Sequence, residues 1–158
     1  MTGDVDPSGA TDPWEIYVLY VGQTGEGTLN IESGGMVSNT DGYIGGGYDS
    51  VGTVTVTGEG SEWNNWGKLT VGSAGDGTLN MIDGGVVSSC YICYIGELPG
   101  SVGSVTVAGE GSRWSNSGDL YVGHEGDGRL ATPNKNNTVT VSGRIFVLLH
   151  RSPLFYLS

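Results

Sequence analysis

Short segments in which apolar and polar residues alternate recur along the chain and are separated by glycines. In residues 53–57, Val54 and Val56 alternate with three threonines. The same alternation is present in residues 28–31, 78–81 and 104–107. A period of two residues predicts β-strands that turn one apolar row inward. The predicted internal row consists of Leu29, Val54, Leu79 and Val105.

These segments belong to a repeat with one unit at residues 16–67, a second at 68–118 and the start of a third at 119–128. Each unit divides into two half-units of about 25 residues, a period that is typical of solenoids and not of helical repeats. The 30 glycines of the chain would form the tight turns between strands. We therefore predict an all-β protein, a right-handed parallel β-helix of about five coils stacked about 4.8 Å apart.

The N-terminal residues depart from the repeat. Residues 1–13 contain no large apolar cluster and no basic region, so they resemble neither a signal peptide nor a membrane segment. We expect them to form a disordered tail. The apolar segment at residues 14–21 is expected to cover the first coil, because a solenoid needs its ends closed.

The C-terminal residues depart from it as well. The β-helix is predicted to occupy residues 14–128, because Val139 follows Leu130 too soon for a full coil. Residues 129–158 lack the glycine rhythm and contain both phenylalanines of the chain. They are expected to be either an apolar cap on the open end of the core or the scar of a truncation.

Composition restricts the class of partner. The formal net charge of −11 and the isoelectric point near 4.2 argue against binding to nucleic acid or to an anionic membrane. The apolar run at residues 145–149 is far too short to span a bilayer, so no membrane insertion is expected. An acidic surface is typical of soluble secreted proteins that avoid edge-to-edge aggregation.

The polar residues of the alternating segments are predicted to face outward on one sheet. They carry short hydroxyl or amide side chains and would stack in two parallel files. A flat face of this kind would suit ice or an extended polysaccharide surface, although threonine is also a common residue of exposed strands with no binding role. We call these residues the Thr/Asn face: Thr28, Asn30, Thr53, Thr55, Thr78, Asn80, Ser104 and Thr106.

Two residue types suggest other sites. Trp63 and Trp114 occupy equivalent positions, and although tryptophan stacks well on sugar rings, we predict that they fill the core or a corner. Cys90 and Cys93 form one C-x-x-C pair, which lacks the second pair that a structural zinc site needs. These cysteines are expected to form either a local disulfide or two free thiols packed among the coils.

Acidic residues flanked by glycine recur in the turns. Glu26, Asp76 and Asp127 occupy equivalent positions, and turn carboxylates and carbonyls can coordinate calcium. Their spacing differs from that of calcium-bound β-rolls, because the three acids recur only every second coil, about 10 Å apart. We prefer solvated turns and predict no cofactor.

Catalytic motifs are not recognisable in the repeat. His124 and His150 are the only histidines, and neither lies in a nucleophile motif. Pectin-cleaving enzymes on a parallel β-helix need clustered carboxylates and a basic residue, whereas Arg113 is the only arginine inside a full repeat. We predict that the chain is not an enzyme.

The repeat resembles the glycine-rich repeats associated with autotransporter passenger domains and PEP-CTERM surface proteins. The motifs that carry the resemblance are L-T-V-G at 69–72, G-T-L-N at 77–80, G-G-V-V-S at 84–88, V-G-S-V-T-V at 102–107 and G-E-G-S-R-W-S-N-S-G at 109–118. The resemblance implies an extracellular bacterial β-helix that is displayed on the cell surface or shed from it, without catalytic residues.

Two functions are compatible with these expectations. The first is a rigid spacer or adhesin scaffold at a bacterial surface, which would also allow end-to-end self-association through exposed terminal strands. The second is a surface-recognition module that binds ice, a polysaccharide or a host surface through the Thr/Asn face.

Overall fold

The computed structural model describes residues 14–134 and 136–148. The predicted tail at residues 1–13 and residues 149–158 of the C-terminal segment lie outside the described residues. The regular elements of the described part are all strands: β1 Trp14–Val21, β2 Glu26–Ile31, β3 Met36–Ile44, β4 Val51–Thr57, β5 Glu62–Asn65, β6 Lys68–Val71, β7 Asp76–Ile82, β8 Val86–Ser89, β9 Ile92–Ile95, β10 Val102–Ala108, β11 Arg113–Asn116, β12 Asp119–Val122, β13 Asp127–Ala131, β14 Thr138–Val141 and β15 Ile145–Val147.

These strands build three parallel faces that wind into a solenoid. Face 1 is a five-stranded sheet in the order β13, β10, β7, β4, β2. The other sheet has ten strands and bends at β3, whose start pairs with β5 and whose end pairs with β6. Face 2 therefore runs from the start of β3 through β5, β8, β11 and β14, and face 3 from the end of β3 through β6, β9, β12 and β15.

The predicted all-β parallel solenoid of about five coils is confirmed. The predicted internal row is confirmed as well, because Leu29 pairs with Val54, Val54 with Leu79 and Leu79 with Val105. All four side chains are buried. Because each coil leaves its apolar row open on both sides, only stacking of neighbouring coils removes these residues from water.

The N-terminal apolar segment forms part of a coil. Strand β1 runs parallel to β3 along both halves, pairing Trp14 with Val37 and Val21 with Ile44. Leu19 and Val21 are buried against the core, so β1 covers the first full coil on faces 2 and 3. Strand β2 remains at the edge of face 1 in the described residues.

Glycines turn the chain between face 3 and face 1, as the sequence predicts. Gly22, Gly45, Gly72, Gly96 and Gly123 share a positive φ of 66 to 73°. At Gly45 a Cβ atom would also lie well under 3.0 Å from the carbonyl oxygen of Asp76 in the next coil. Only glycine satisfies both the left-handed backbone and the close approach.

The solenoid continues beyond Gly128, where the repeats are predicted to end. Leu130 pairs with Val105, and Val139 pairs with Trp114, so strands β13 and β14 add a further coil. Val139 follows Leu130 by nine residues, and Trp114 follows Val105 by nine residues as well. This interval is shorter than a full coil because the two residues of each pair lie on neighbouring faces of the same coil. The described part of residues 129–158 therefore forms a coil that lacks the regularly spaced glycines. The two interpretations of this segment, an apolar cap or the scar of a truncation, now apply only to residues 149–158.

Candidate functional site

The Thr/Asn face forms two regular files on the outer side of face 1. One file contains Thr28, Thr53, Thr78 and Ser104, and the other contains Asn30, Thr55, Asn80 and Thr106. Neighbouring residues of a file are paired directly, so they repeat at the strand spacing of about 4.8 Å. Strand register alone brings all eight predicted residues onto one surface.

The ends and the border of this face carry different chemistry. In the fifth coil the two files continue with Arg129 and Ala131. The turn acids Glu26, Asp76 and Asp127 form the neighbouring file, where Val51 and Val102 separate them. No group of three or more His, Cys, Asp or Glu that could hold a metal ion is present in the part of the chain that the structure describes.

The two tryptophans singled out from the sequence pack in the core, as predicted. Trp63 pairs with Val37 in the preceding coil and with Val87 in the following one, and Trp114 pairs with Val87 from the opposite side. Both indoles are buried. Neither ring face is available for a sugar, so the predicted packing role is confirmed.

A polar row that the sequence analysis missed lies beside these tryptophans. Asn39, Asn65, Ser89 and Asn116 are paired in register and buried inside the bend between faces 2 and 3. Asn39 donates to Asn65 Oδ1 over 2.5 Å, and Ser89 donates to Asn116 Oδ1 over 3.1 Å. The signal was present in the sequence, because Asn65 follows Trp63 by two residues and Asn116 follows Trp114 by two residues. A residue two positions after a buried tryptophan points to the same side of a strand.

The cysteines are free thiols with different environments. Cys90 is exposed at the corner after β8, whereas Cys93 is buried in β9. Cys93 Sγ lies 3.0 Å from Ser89 Oγ and 3.3 Å from Asn116 Oδ1, which joins it to the polar row. Burial raises the pKa of the Cys93 thiol to about 12, so it is protonated and unreactive at neutral pH.

Face 3 carries a row of stacked aromatic side chains on its outer side. The register runs from Tyr20 through Tyr43, Thr70, Tyr94 and Tyr121 to Phe146. Ring centroids of adjacent members lie 5.1, 5.0 and 4.6 Å apart with nearly parallel planes. We call these residues the aromatic row.

Lys68 fills the gap that Thr70 leaves in the aromatic row. Its Nζ lies 5.5 Å from the ring centroid of Tyr43 and 4.9 Å from that of Tyr94, and it forms an ion pair with Glu97. Thr70 is fully buried below it. The lysine therefore acts as a cationic link between two stretches of stacked rings.

The residues considered for catalysis are dispersed. The His124 ring packs edge-on against Tyr94 and Tyr121, with centroids 5.2 and 5.4 Å apart. Arg113 is exposed on face 2, where it pairs with Val86 and Thr138. His150 lies outside the described residues. The structure thus places His124 and Arg113 on different faces.

The exposed aromatic residues are ones that the sequence analysis did not single out. Trp66 and Tyr17 protrude from the outer side of the solenoid near its N-terminal end. They line one cleft with Glu15, Ser38 and Thr40. Their sequence separation hides this proximity, because only the stacking of coils on β3 brings β1 within two coils of the corner after β5.

Helices long and apolar enough to cross a membrane are not found in the described residues. Comparisons with protein-family models, with curated proteins and with solved structures gave no match for this chain.

Proposed function

We propose that the protein is a non-enzymatic extracellular repeat module that acts as a rigid spacer or adhesin scaffold at a bacterial surface. The observation that supports this proposal is the unbroken register of the strand ladders from β1 to β15. Each coil hydrogen-bonds to the next along three faces, so the module resists bending between its ends. Length then grows in proportion to the number of coils.

The surface location rests on the glycine-rich repeat motifs and on charge. The resemblance of the repeats to surface-displayed β-helices favours export, and the net charge of −11 favours solubility. Antibody labelling of intact cells of the source organism tests this part of the proposal. Labelling that needs permeabilised cells would overturn it.

The spacer role is tested by changing the number of coils. One variant carries a second copy of residues 68–118, which adds two coils and about 10 Å of rod. A matched control carries a glycine/serine linker of equal residue number at the same position. Both are anchored to the surface of a laboratory bacterium through the C-terminal end and carry an N-terminal epitope.

The expected result is that the added coils raise the epitope by about 10 Å with a narrow spread of heights, which energy transfer between a dye at the epitope and a dye at the cell surface measures. The linker of equal residue number has a root-mean-square length of about 40 Å, so the heights of the epitope in the control should be broadly distributed. Equally broad distributions in the two variants would contradict the spacer proposal. A small antibody fragment serves as the loading control, because it reaches the epitope in every variant.

A second candidate function is surface recognition through the Thr/Asn face. It is supported by the regular 4.8 Å repeat of its two files along face 1. Such a face suits an extended, periodic partner such as ice, a polysaccharide or a host surface. The face would bind through many weak contacts, so single small substitutions should matter less than one that breaks its flatness.

Thr55→Tyr is the variant that tests this candidate, because Thr55 lies in the middle of the second file. Loss of ice shaping or of glycan pull-down in Thr55→Tyr would support recognition by the Thr/Asn face. Arg113→Tyr, which changes an exposed residue of face 2, is the control. No activity of the unaltered protein in either assay would remove this candidate and leave the spacer.

A further inference from the structure

A cleft of about 450 Å³ opens on the outer side of the solenoid near its N-terminal end. It lies where β1 and β3 bend from face 2 to face 3, so it is separate from the Thr/Asn face on face 1. Its principal side chains are Glu15, Tyr17, Ser38, Thr40 and Trp66.

Two aromatic side chains flank this cleft. Register places Tyr17 next to Thr40, because the preceding residues Ile16 and Asn39 are paired. Trp66 is one coil further on, because its backbone N–H donates to Asn39 O over 2.9 Å. Tyr17 and Trp66 are thus two coils apart, about 10 Å, with the smaller Thr40 between them.

Both rings are unusually open to solvent. Tyr17 is 78% exposed and Trp66 is 66% exposed. Van der Waals contact with a ring face is made at about 3.5–4.0 Å, so a saturated six-membered ring between two aromatic rings needs about 7–8 Å, which the strand separation of about 10 Å provides. The cleft therefore offers stacking surfaces that no side chain of the described residues occupies.

The remaining lining residues supply hydrogen bonds. Ser38 and Thr40 project outward from β3 between the two rings, and their hydroxyls both donate and accept. The exposed carboxylate of Glu15 accepts up to four hydrogen bonds. Apolar ring faces beside a few hydroxyl and carboxylate groups match the two chemistries of a pyranose, which has apolar C–H faces and a rim of hydroxyls.

We propose that this cleft binds one pyranose ring of a neutral glycan, with Tyr17 and Trp66 stacking on its two faces. The net charge of −11 and the Glu15 carboxylate disfavour an anionic sugar. Next to Ser38 the outward file of face 2 continues with Asn64 and Ser88, which are polar as well. Neighbouring sugar units of the same glycan would lie on these residues.

A quaternary ammonium ion is the main competing ligand, because two aromatic rings and a carboxylate also attract a cation. The cleft favours the glycan on two grounds. Its volume exceeds what a methylated ammonium group fills, and such a group makes no hydrogen bonds to the hydroxyls of Ser38 and Thr40. This site is independent of the proposed spacer function and of the Thr/Asn face.

Titration calorimetry of the full chain tests the proposal with three neutral probes, namely hexasaccharides of β-1,4-linked glucose, β-1,4-linked N-acetylglucosamine and α-1,4-linked glucose. We expect at least one of them to bind. Trp66→Ala and Tyr17→Ala should each weaken that binding about tenfold or more, because each removes one stacking surface. Trp66→Phe should retain part of the affinity. Absence of binding to all three probes overturns the proposal.

Tyr48→Ala is the matched control, since Tyr48 is 74% exposed but lies in the turn after face 3, away from this cleft. It should bind as the unaltered protein does, and equal weakening in Tyr48→Ala and Trp66→Ala would overturn the proposal. Thermal unfolding of each variant checks that the solenoid is intact, and a variant that does not fold is replaced by Trp66→Phe or Tyr17→Phe.

Glu15→Gln and choline distinguish the two ligand chemistries. A glycan keeps most of its affinity in Glu15→Gln, because the amide still accepts and also donates hydrogen bonds. A cation loses affinity in that variant and is displaced by salt. Binding of choline that depends on Glu15, without binding of any hexasaccharide, would overturn the glycan proposal.

Discussion

Trp63 donates its indole N–H to Oδ1 of Asn39 in the preceding coil, over 2.6 Å, inside a fully buried part of the solenoid. The same Asn39 donates through Nδ2 to Asn65, which follows Trp63 by two residues on the same strand. The indole N–H is the only polar group of Trp63, and its hydrogen-bond partner is the buried amide of Asn39. Asn39 therefore supports both the packing of this large side chain and the hydrogen bonding of the core around it.

Asn39→Ala should lower the free energy of unfolding by about 2–4 kcal/mol, because it leaves the indole N–H of Trp63 and Oδ1 of Asn65 without these partners. Urea unfolding followed by tryptophan fluorescence measures the loss. Asn64→Ala is the control, because Asn64 is on the same strand as Asn65 but faces outward. Equal losses in the two variants would show that the buried hydrogen bonds do not stabilise the core.

The sequence predicts the inward rows because their alternation is regular. Leu29 and Val54 are recognised from period two and from the repeat, and the structure pairs them directly. The buried asparagines were missed because amides are usually exposed, although Asn65 shares the side of Trp63 by strand geometry.

The fifth coil and the cleft are less visible in the sequence for different reasons. Val139 lies under Trp114, but its segment has lost the glycines that mark every earlier coil. Tyr17 and Trp66 are single aromatic residues at corners, with no repeated counterpart at that place. Their proximity results from the register of β1 on β3, which local sequence does not encode.

Gly45→Ala should destabilise the solenoid by more than the cost of a left-handed alanine alone. A Cβ atom at Gly45 would meet the backbone of Asp76 in the next coil, and that backbone belongs to the face 1 ladder. Gly100→Ala is the matched control, because Gly100 also has positive φ, of 82°, but has no atom within 4 Å of the added Cβ.

Thermal unfolding should then show a loss of about 1 kcal/mol in Gly100→Ala, which reports the backbone conformation alone. Gly45→Ala should lose several times as much or fail to fold, because the clash adds to the same conformational cost. Similar melting temperatures for the two variants would refute the close approach between coils at Gly45.

Lys68→Met should lower stability by about 1 kcal/mol at low salt and by less at high salt. Methionine keeps an apolar stem over Thr70 but loses the charge that faces Tyr43, Tyr94 and Glu97. Lys68→Ala should lose more, because it also uncovers Thr70. A salt-independent difference between Lys68→Met and the unaltered protein would exclude the electrostatic contribution.

The Lys68→Met variant should also change the pKa of Tyr94. Burial raises the pKa of Tyr94, and the nearby charge of Lys68 opposes that rise. Without this charge the pKa of Tyr94 should rise further in Lys68→Met. Tyrosinate absorbance during an alkaline titration of the folded protein measures the change, and an unaltered or lower pKa would contradict the proximity of Lys68 to the ring.

Cys90 should react with an aromatic disulfide reagent in the native protein, whereas Cys93 should react only after unfolding. Burial raises the pKa of Cys93 from 9.0 to about 12, so the folded state holds the thiol proton more tightly than the unfolded state. The resulting stabilisation is complete below pH 9 and decreases as the pH rises towards 12.

The stability of Cys93→Ala relative to the unaltered protein isolates this effect. The stability difference should shrink progressively above pH 9, because alanine has no proton to lose. Cys90→Ala removes an exposed thiol and is the control. Two rapidly reacting thiols in the native protein would be incompatible with a buried Cys93.

The C-terminal end of the described solenoid should support head-to-tail self-association. Strands β13, β14 and β15 pair on one side only in the described ranges, and Ile145 and Val147 are each 60% exposed where earlier coils bury the equivalent residues. An unpaired parallel edge with an open apolar row is complementary to the first coil of a second copy, and repetition of such a contact gives filaments.

Sedimentation velocity over a range of protein concentrations measures this association. Val147→Lys should reduce the association, because it places an ammonium group in the apolar row that forms the contact. Tyr48→Lys changes another exposed residue, away from that end, and should not reduce it. A monomer at every concentration would rule out end-to-end growth, so that length would depend on the number of coils within one chain alone. Association that persists unchanged in Val147→Lys would instead place the contact on a face of the solenoid.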